Sequence, residues 1–112
     1  MDPKIRFNIK YLPEAFEFLN TLDPKVRLKI EYNIMVSQYI LDNKLFKKLN
    51  DNIWEFRTKM NRMEYRLFAF WDKHTKSMVI ATHGIVKKTQ KTPSKEIKRA
   101  EELMKLYYQK IR

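Results

Sequence analysis

The chain has 112 residues, of which 44% are hydrophobic and 33% charged, and 24 Lys/Arg against 13 Asp/Glu leave a formal charge of +11. This is the size and apolar content of one folded domain, 1–112, and it excludes a disordered polyelectrolyte. With no cysteine, disulfide frameworks and thiolate metal sites are excluded too.

The opening "MDPKIRFNIKYLP" lacks the apolar core of a secretory signal. No run approaches the roughly 18 apolar residues that cross a bilayer. A cytoplasmic location with no membrane partner is the expectation. "KIRFNIKY" (4–11) alternates Ile5, Phe7 and Ile9 with polar residues, the period of a half-buried strand. "PEAFEFLNTL" suits a short helix with Pro13 in its first turn and Phe16 and Leu19 on one side. Asp23-Pro24 restarts a helix, a capping carboxylate followed by proline at the first helical position. Leu28, Tyr32, Met35 and Tyr39 then recur at helical spacing, with Val26, Ile30 and Ile34 widening the stripe, so a helix runs from about 24 to 42.

"LFKKLNDN" reads as a connection. Three strand-like runs follow, "IWEFRTKM", "EYRLFAFWD" and "MVIATHGIV", joined by short polar links that favour an antiparallel meander. Thr92-Pro93 then caps a helix lined by Ile97, Ala100, Met104, Tyr107 and Ile111. The predicted architecture is α+β, β-α-α-β-β-β-α. It has a small twisted antiparallel sheet, two helices on one face and a C-terminal helix, with part of the sheet left open.

Charge is sorted along the chain: net +1 over 1–56, +4 over 57–76, zero over 77–86 and +6 over 87–112. A polyanionic partner explains this sorting. The strand period puts Glu55 and Arg57 on one face, opposite Trp54 and Phe56. It puts Arg66 in phase with Phe68 and Phe70, Tyr65 with Leu67 and Ala69, and His83 with Ala81, Ile85 and Lys87. One face can therefore collect Glu55, Arg57 and one of Tyr65 and Arg66, with a basic exit at Lys87-Lys88. Glu55 and Arg57 fit a structural ion pair as well as a functional one, and a lone His83 among apolar residues fits the core. Gly84, the only glycine, fits either a close approach of backbone or nucleotide or a bulge.

There is no Gly-rich phosphate loop, no HExxH, no histidine pair for a metal and no nucleophilic triad. What remains is a cationic surface with a carboxylate and tyrosines. Such a surface can stabilise a phosphorane and orient an attacking RNA 2′-hydroxyl, which DNA lacks. Arginine stays protonated and can only clamp phosphate, whereas a lysine among cations can exchange a proton near neutrality.

"IWEFRTK", "EYRLFAFWD" and "THGIVKKTQKTPSKEIKRAEELM" together resemble the HigB-like, phage-related branch of the RelE/ParE toxin superfamily. That branch shows an "LWELR"-like strand, a "YRxFYF"-like strand and "HGFVKKTQKTPxxEIxxA" over roughly residues 45–105. The link "KMNRM" replaces the family's Gly-Asn-type turn, and Trp71 stands where the family has a smaller or aliphatic residue. The resemblance implies a type II toxin: a metal-independent mRNA interferase with no cofactor, acting at the ribosomal A site. It also implies neutralisation by a cognate helix-turn-helix antitoxin in a toxin–antitoxin hetero-oligomer. Carried over, Arg66, Lys87, Lys88 and Arg57 form the catalytic set, with Arg66, Lys87 and Lys88 clamping the transition state and moving the proton. Lys91, Tyr65, Glu55 and His83 contact RNA, Tyr65 by stacking. A gyrase-binding toxin of the ParE kind and an inactive RNA-binding module are the alternatives. Arg66→Ala and Lys87→Ala/Lys88→Ala are expected to abolish cleavage with the fold intact, and His83→Ala mostly to lower stability.

Overall fold

The computed structural model describes residues 4–89 and 91–110, so Ile111 lies outside the described residues. The elements are β1 (Asn8–Tyr11), α1 (Pro13–Asn20), α2 (Pro24–Tyr39), β2 (Phe46–Lys48), β3 (Trp54–Met60), β4 (Met63–Trp71), β5 (Met78–Lys87) and α3 (Ser94–Lys110). They build one five-stranded sheet in the order β1-β5-β4-β3-β2. The β3-β4-β5 meander is antiparallel. The expected all-antiparallel sheet is nonetheless mixed, because β1 is shorter than 4–11 and pairs parallel to β5.

β2, which the sequence shows only as a connection, pairs with Trp54–Phe56. Three residues are too few to display an alternation. What holds them is aromatic packing: Phe46 stacks on Phe56 at 4.1 Å between centroids and lies 4.8 Å from Trp54. Trp71 closes the same cluster, edge-on to Phe7 at 5.3 Å. The "NR" link is a two-residue turn in which Asn61 and Arg62 both have positive φ, 54° and 66°. That is the primed-turn geometry that matches strand twist, here made without glycine.

α1 and α2 cover one sheet face, burying Phe7, Phe56, Leu67 and Val79 against Ala15, Leu19, Ile30 and Ile34. α3 covers part of the other, where Ile53, Phe68, Phe70 and Ile80 meet Ala100 and Met104. The Asp23 carboxylate accepts from the Lys25 backbone N–H at 2.9 Å, so the expected cap of α2 is present. The core side of that helix is Val26, Ile30, Asn33, Ile34 and Ser37. Leu28, Tyr32, Met35 and Tyr39, expected to share the buried stripe, are 44–66% exposed, as is Phe16 of α1 at 50%. α2 is apolar on two sides, and its spacing alone does not say which one meets the sheet.

β5 carries a bulge. Leu67 pairs with Gly84, but Ala69 pairs with Ala81, so Thr82 and His83 together oppose Phe68. The extra residue breaks the expected phase: Ala81 stays in the core under α1 and α2, while His83 turns to the α3 face and stacks on Phe68 at 4.8 Å. Gly84 follows directly. A Cβ there would lie 2.2 Å from Cδ2 of Phe18, so the close approach is by an aromatic ring from α1 and not by backbone or nucleotide. We expect Gly84→Ala to lower the unfolding free energy by about 1–3 kcal/mol through overpacking. In urea titrations its effect should be less than additive with Phe18→Ala.

Candidate functional site

α3 packs over the Phe68–Phe70 stretch of its face and leaves the far end, beyond His83, to charged residues. Register brings them together there. Lys59, Glu64 and Lys87 form one cross-strand row, and Arg57, Arg66 and Ile85 form the next. Glu55 binds the rows into a network. Its Oε1 accepts from Arg66 Nη1 at 2.7 Å and lies 3.5 Å from Arg57 Nε, while Arg66 Nη2 donates to Glu64 Oε1 at 2.9 Å. The Thr92 hydroxyl donates to Glu55 Oε2 at 2.6 Å. This tethers the lysine-rich loop to β3, so Thr92 anchors the site and α3 itself starts at Ser94.

The expectation that Arg66 clamps a phosphate is corrected by its position. Its side chain is 0% exposed and that of Glu55 is 1% exposed, so the guanidinium is committed to two carboxylates. Arg66 holds the Glu55 and Glu64 carboxylates in place. The cations that can reach a ligand are Arg57, whose side chain is 24% exposed, half-buried Lys87, and exposed Lys88 and Lys91. The Lys87 ammonium donates to the Lys91 carbonyl, which holds it at the strand exit. Burial, then the Arg66 and Arg57 charges, keep Lys87 below the usual lysine range, with Glu55 and Glu64 pulling the other way. Lys87 therefore gives up its proton more readily than an ordinary lysine.

His83 and Tyr65 stand apart from this group. His83 is 7% exposed. Its Nδ1 lies 3.1 Å from Thr82 Oγ1 and its Nε2 lies 3.1 Å from Glu96 Oε1, which ties β5 to α3. The neutral tautomer that Glu96 selects carries its proton on Nε2 and donates it to that carboxylate, and the one Thr82 hydroxyl hydrogen is shared between His83 Nδ1 and the Phe68 carbonyl, 3.2 Å away. Burial holds the ring below the usual histidine range despite the opposing pull of Glu96. Tyr65 packs into the core beside α1 and α2, on the opposite face from Arg66. Stacking on RNA at the Lys87 site is closed to it.

Glu64, Thr92 and Glu96 carry the geometry without having stood out in the sequence. Glu64 had a signal, since it precedes Arg66 by two residues and so shares its face. Thr92 and Glu96 had only their places in the "KTPxxEI" pattern, which does not show what they bond to, because their partners are distant in the chain. Among the described residues no group of three or more His, Asp or Glu side chains is placed to hold a metal ion.

Fold and site define a small α+β protein with a cationic centre at the uncovered end of a mixed sheet. The chain belongs to the phage-derived protein Gp49-like family (DUF891), whose model matches residues 17–105 and so spans every residue of the site. Among solved structures it is similar to a chain of the toxin–antitoxin complex RelBE2 from Mycobacterium tuberculosis, with a TM-score of 0.56 and 14% identity. That alignment covers 71% of this chain and 96% of the other, and at such identity the likeness is one of fold. No curated protein matches the chain.

Two outcomes follow from the burial. Arg66→Ala strands the carboxylates of Glu55 and Glu64 and should destabilise the protein by about 3–5 kcal/mol in urea unfolding, unlike the intact fold expected from sequence. For His83, whose ordinary pKa is 6.5, the folded value lies lower. Below pH 6.5 the unfolded chain therefore binds more protons, and stability falls as pH drops toward the folded value. His83→Gln should flatten the stability profile in that acidic window and leave its slope above it unchanged.

Proposed function

We propose that this protein is a type II toxin of the HigB-like, RelE-type branch that cleaves mRNA in the cytoplasm without a metal or cofactor. The observation that carries the reading is Lys87. It is a lysine with a lowered pKa at an open sheet end, flanked by Arg57 and Lys88 and held by the buried Arg66–Glu55–Glu64 network. In this chemistry the neutral Lys87 amine takes the proton from the 2′-hydroxyl at the cleavage point. The 2′-oxygen bonds to phosphorus, the bond from phosphorus to the 5′-oxygen breaks, and that oxygen takes a proton from the Lys88 ammonium as it leaves. The products are a 2′,3′-cyclic phosphate and a 5′-hydroxyl. Arg57 and Lys88 stabilise the charge that builds on the phosphorane, and Lys91 holds flanking RNA. Arg66 contributes through Lys87, by lowering its proton affinity.

The similarity to a chain of a toxin–antitoxin complex supports a toxin held inactive by an antitoxin, of the helix-turn-helix kind by resemblance. The exposed α2 stripe of Leu28, Tyr32, Met35 and Tyr39 supports a protein partner as well, and it is the observation that favours a gyrase-binding toxin as second reading. The two are separated by brief induced expression of wild type and Lys87→Ala in a bacterial host. RNA 5′ ends are mapped across the transcriptome and DNA supercoiling is assayed in the same cells. We expect new 5′-hydroxyl ends inside translated frames, reduced roughly 100-fold or more by Lys87→Ala at unchanged stability. Growth arrest with intact messages and gyrase-linked DNA damage would overturn the ribonuclease reading.

A further inference from the structure

A cleft of about 490 Å³ opens at the edge of the sheet beside the site. It exists because the β2 side of β3 ends at Arg57, whose N–H donates to the Leu45 carbonyl at 2.8 Å, which leaves 58–60 with β4 as the sole strand neighbour. Into this notch α2 sends Lys29, the segment before β2 sends Lys44, and β3 sends Lys59 and Arg57. Leu45 lines it beside a polar pair: Asn33 Nδ2 donates to Thr58 Oγ1 at 3.0 Å, and both residues are buried. One carboxylate, Glu64, lines the cleft, and its Oε1 is already held by Arg66. Among the described residues none of Lys29, Lys44 and Lys59 is in an ion pair.

The cleft is continuous with the proposed reaction centre, because Arg57 belongs to both. Its Nε lies 3.5 Å from Glu55, its side chain is 24% exposed, and the residue lines the cleft. The cations thus form one track, from Lys87 through Arg57 to Lys59, Lys44 and Lys29, around an open strand edge. An acidic amphipathic helix would need a strip of apolar residues to sit on, and Leu45 is the single apolar residue among those that line the cleft, against four cations. A strand of evenly spaced phosphates suits it better.

We propose that this cleft is a second, non-catalytic subsite that binds the phosphodiester backbone of the same RNA strand that is cut at Lys87. The proposal rests on the ribonuclease reading. It makes RNA length a determinant of affinity: a strand long enough to pass Arg57 gains contacts that a short one cannot reach.

The test uses the purified full chain and fluorescein-labelled 2′-O-methyl oligoribonucleotides, which bind but cannot be cut. Anisotropy is read for a trinucleotide and a decanucleotide over a range of salt concentrations. The triple variant Lys29→Gln/Lys44→Gln/Lys59→Gln should weaken the decanucleotide about tenfold and leave the trinucleotide unchanged. Its salt slope should fall by about 2, the value for three lost contacts to a single strand. Lys87→Ala should weaken both oligonucleotides. A triple variant that binds the decanucleotide like wild type, with Lys87→Ala still impaired, overturns the subsite and leaves the ribonuclease reading standing. Wild type that binds neither oligonucleotide overturns both. Polyglutamate that competes with the decanucleotide on wild type but not on the triple variant would assign the cleft to an acidic protein segment instead.

Discussion

The buried pair of Arg66 and Glu55 is the constraint on which this end of the molecule depends. Two charges removed from water are tolerable only when their hydrogen bonds are made. Here Arg66 meets two carboxylates, and Glu55 also accepts from Thr92 and lies beside Arg57. These bonds need β3 and β4 in one register, and a slip of one residue would send Arg66 into the apolar side of the sheet. They also bring down the loop that follows β5. Register, loop position and the environment of Lys87 are therefore consequences of one ionic network.

A second constraint acts from the other side of the sheet. The bulge at Thr82-His83 rotates the rest of β5, so that Ile85 and Lys87 reach the face that Arg66 occupies. It also turns Gly84 toward α1, where the missing Cβ admits the Phe18 ring. His83, carried to the α3 side, is used to fasten that helix through Glu96. The segment "THGIVKK" thus spends its polar and small residues on placing the lysines, and Lys88 at its end is exposed.

The overall charge takes on a more specific meaning in this frame. Counted along the chain, the basic excess belongs almost wholly to the C-terminal half. In three dimensions two lysines of the nearly neutral half, Lys29 and Lys44, stand beside Arg57 and Lys59 at the open edge of β3. The carboxylates near the centre, Glu55 and Glu64, are turned inward onto Arg66 and shield little of the outer surface.

The sequence by itself determined the α+β class, the three-strand meander, the capped start of α2, and the face shared by Glu55 and Arg57, while the β3–β4 register chose Arg66 over Tyr65 to join them. It did so because these follow from periods of two and 3.6 residues and from local capping chemistry. Its motifs also marked the lysine-rich exit. Only the tertiary structure decided the parallel pairing of β1, the three-residue β2, and which side of α2 is buried, since each depends on partners far away in the chain. The same holds for the bulge, which reverses the phase of His83. It holds for Arg66 too, whose charge type suggests a phosphate clamp and whose burial commits it to Glu55 and Glu64. Solvent access is set by everything packed around a side chain, and no local pattern encodes it.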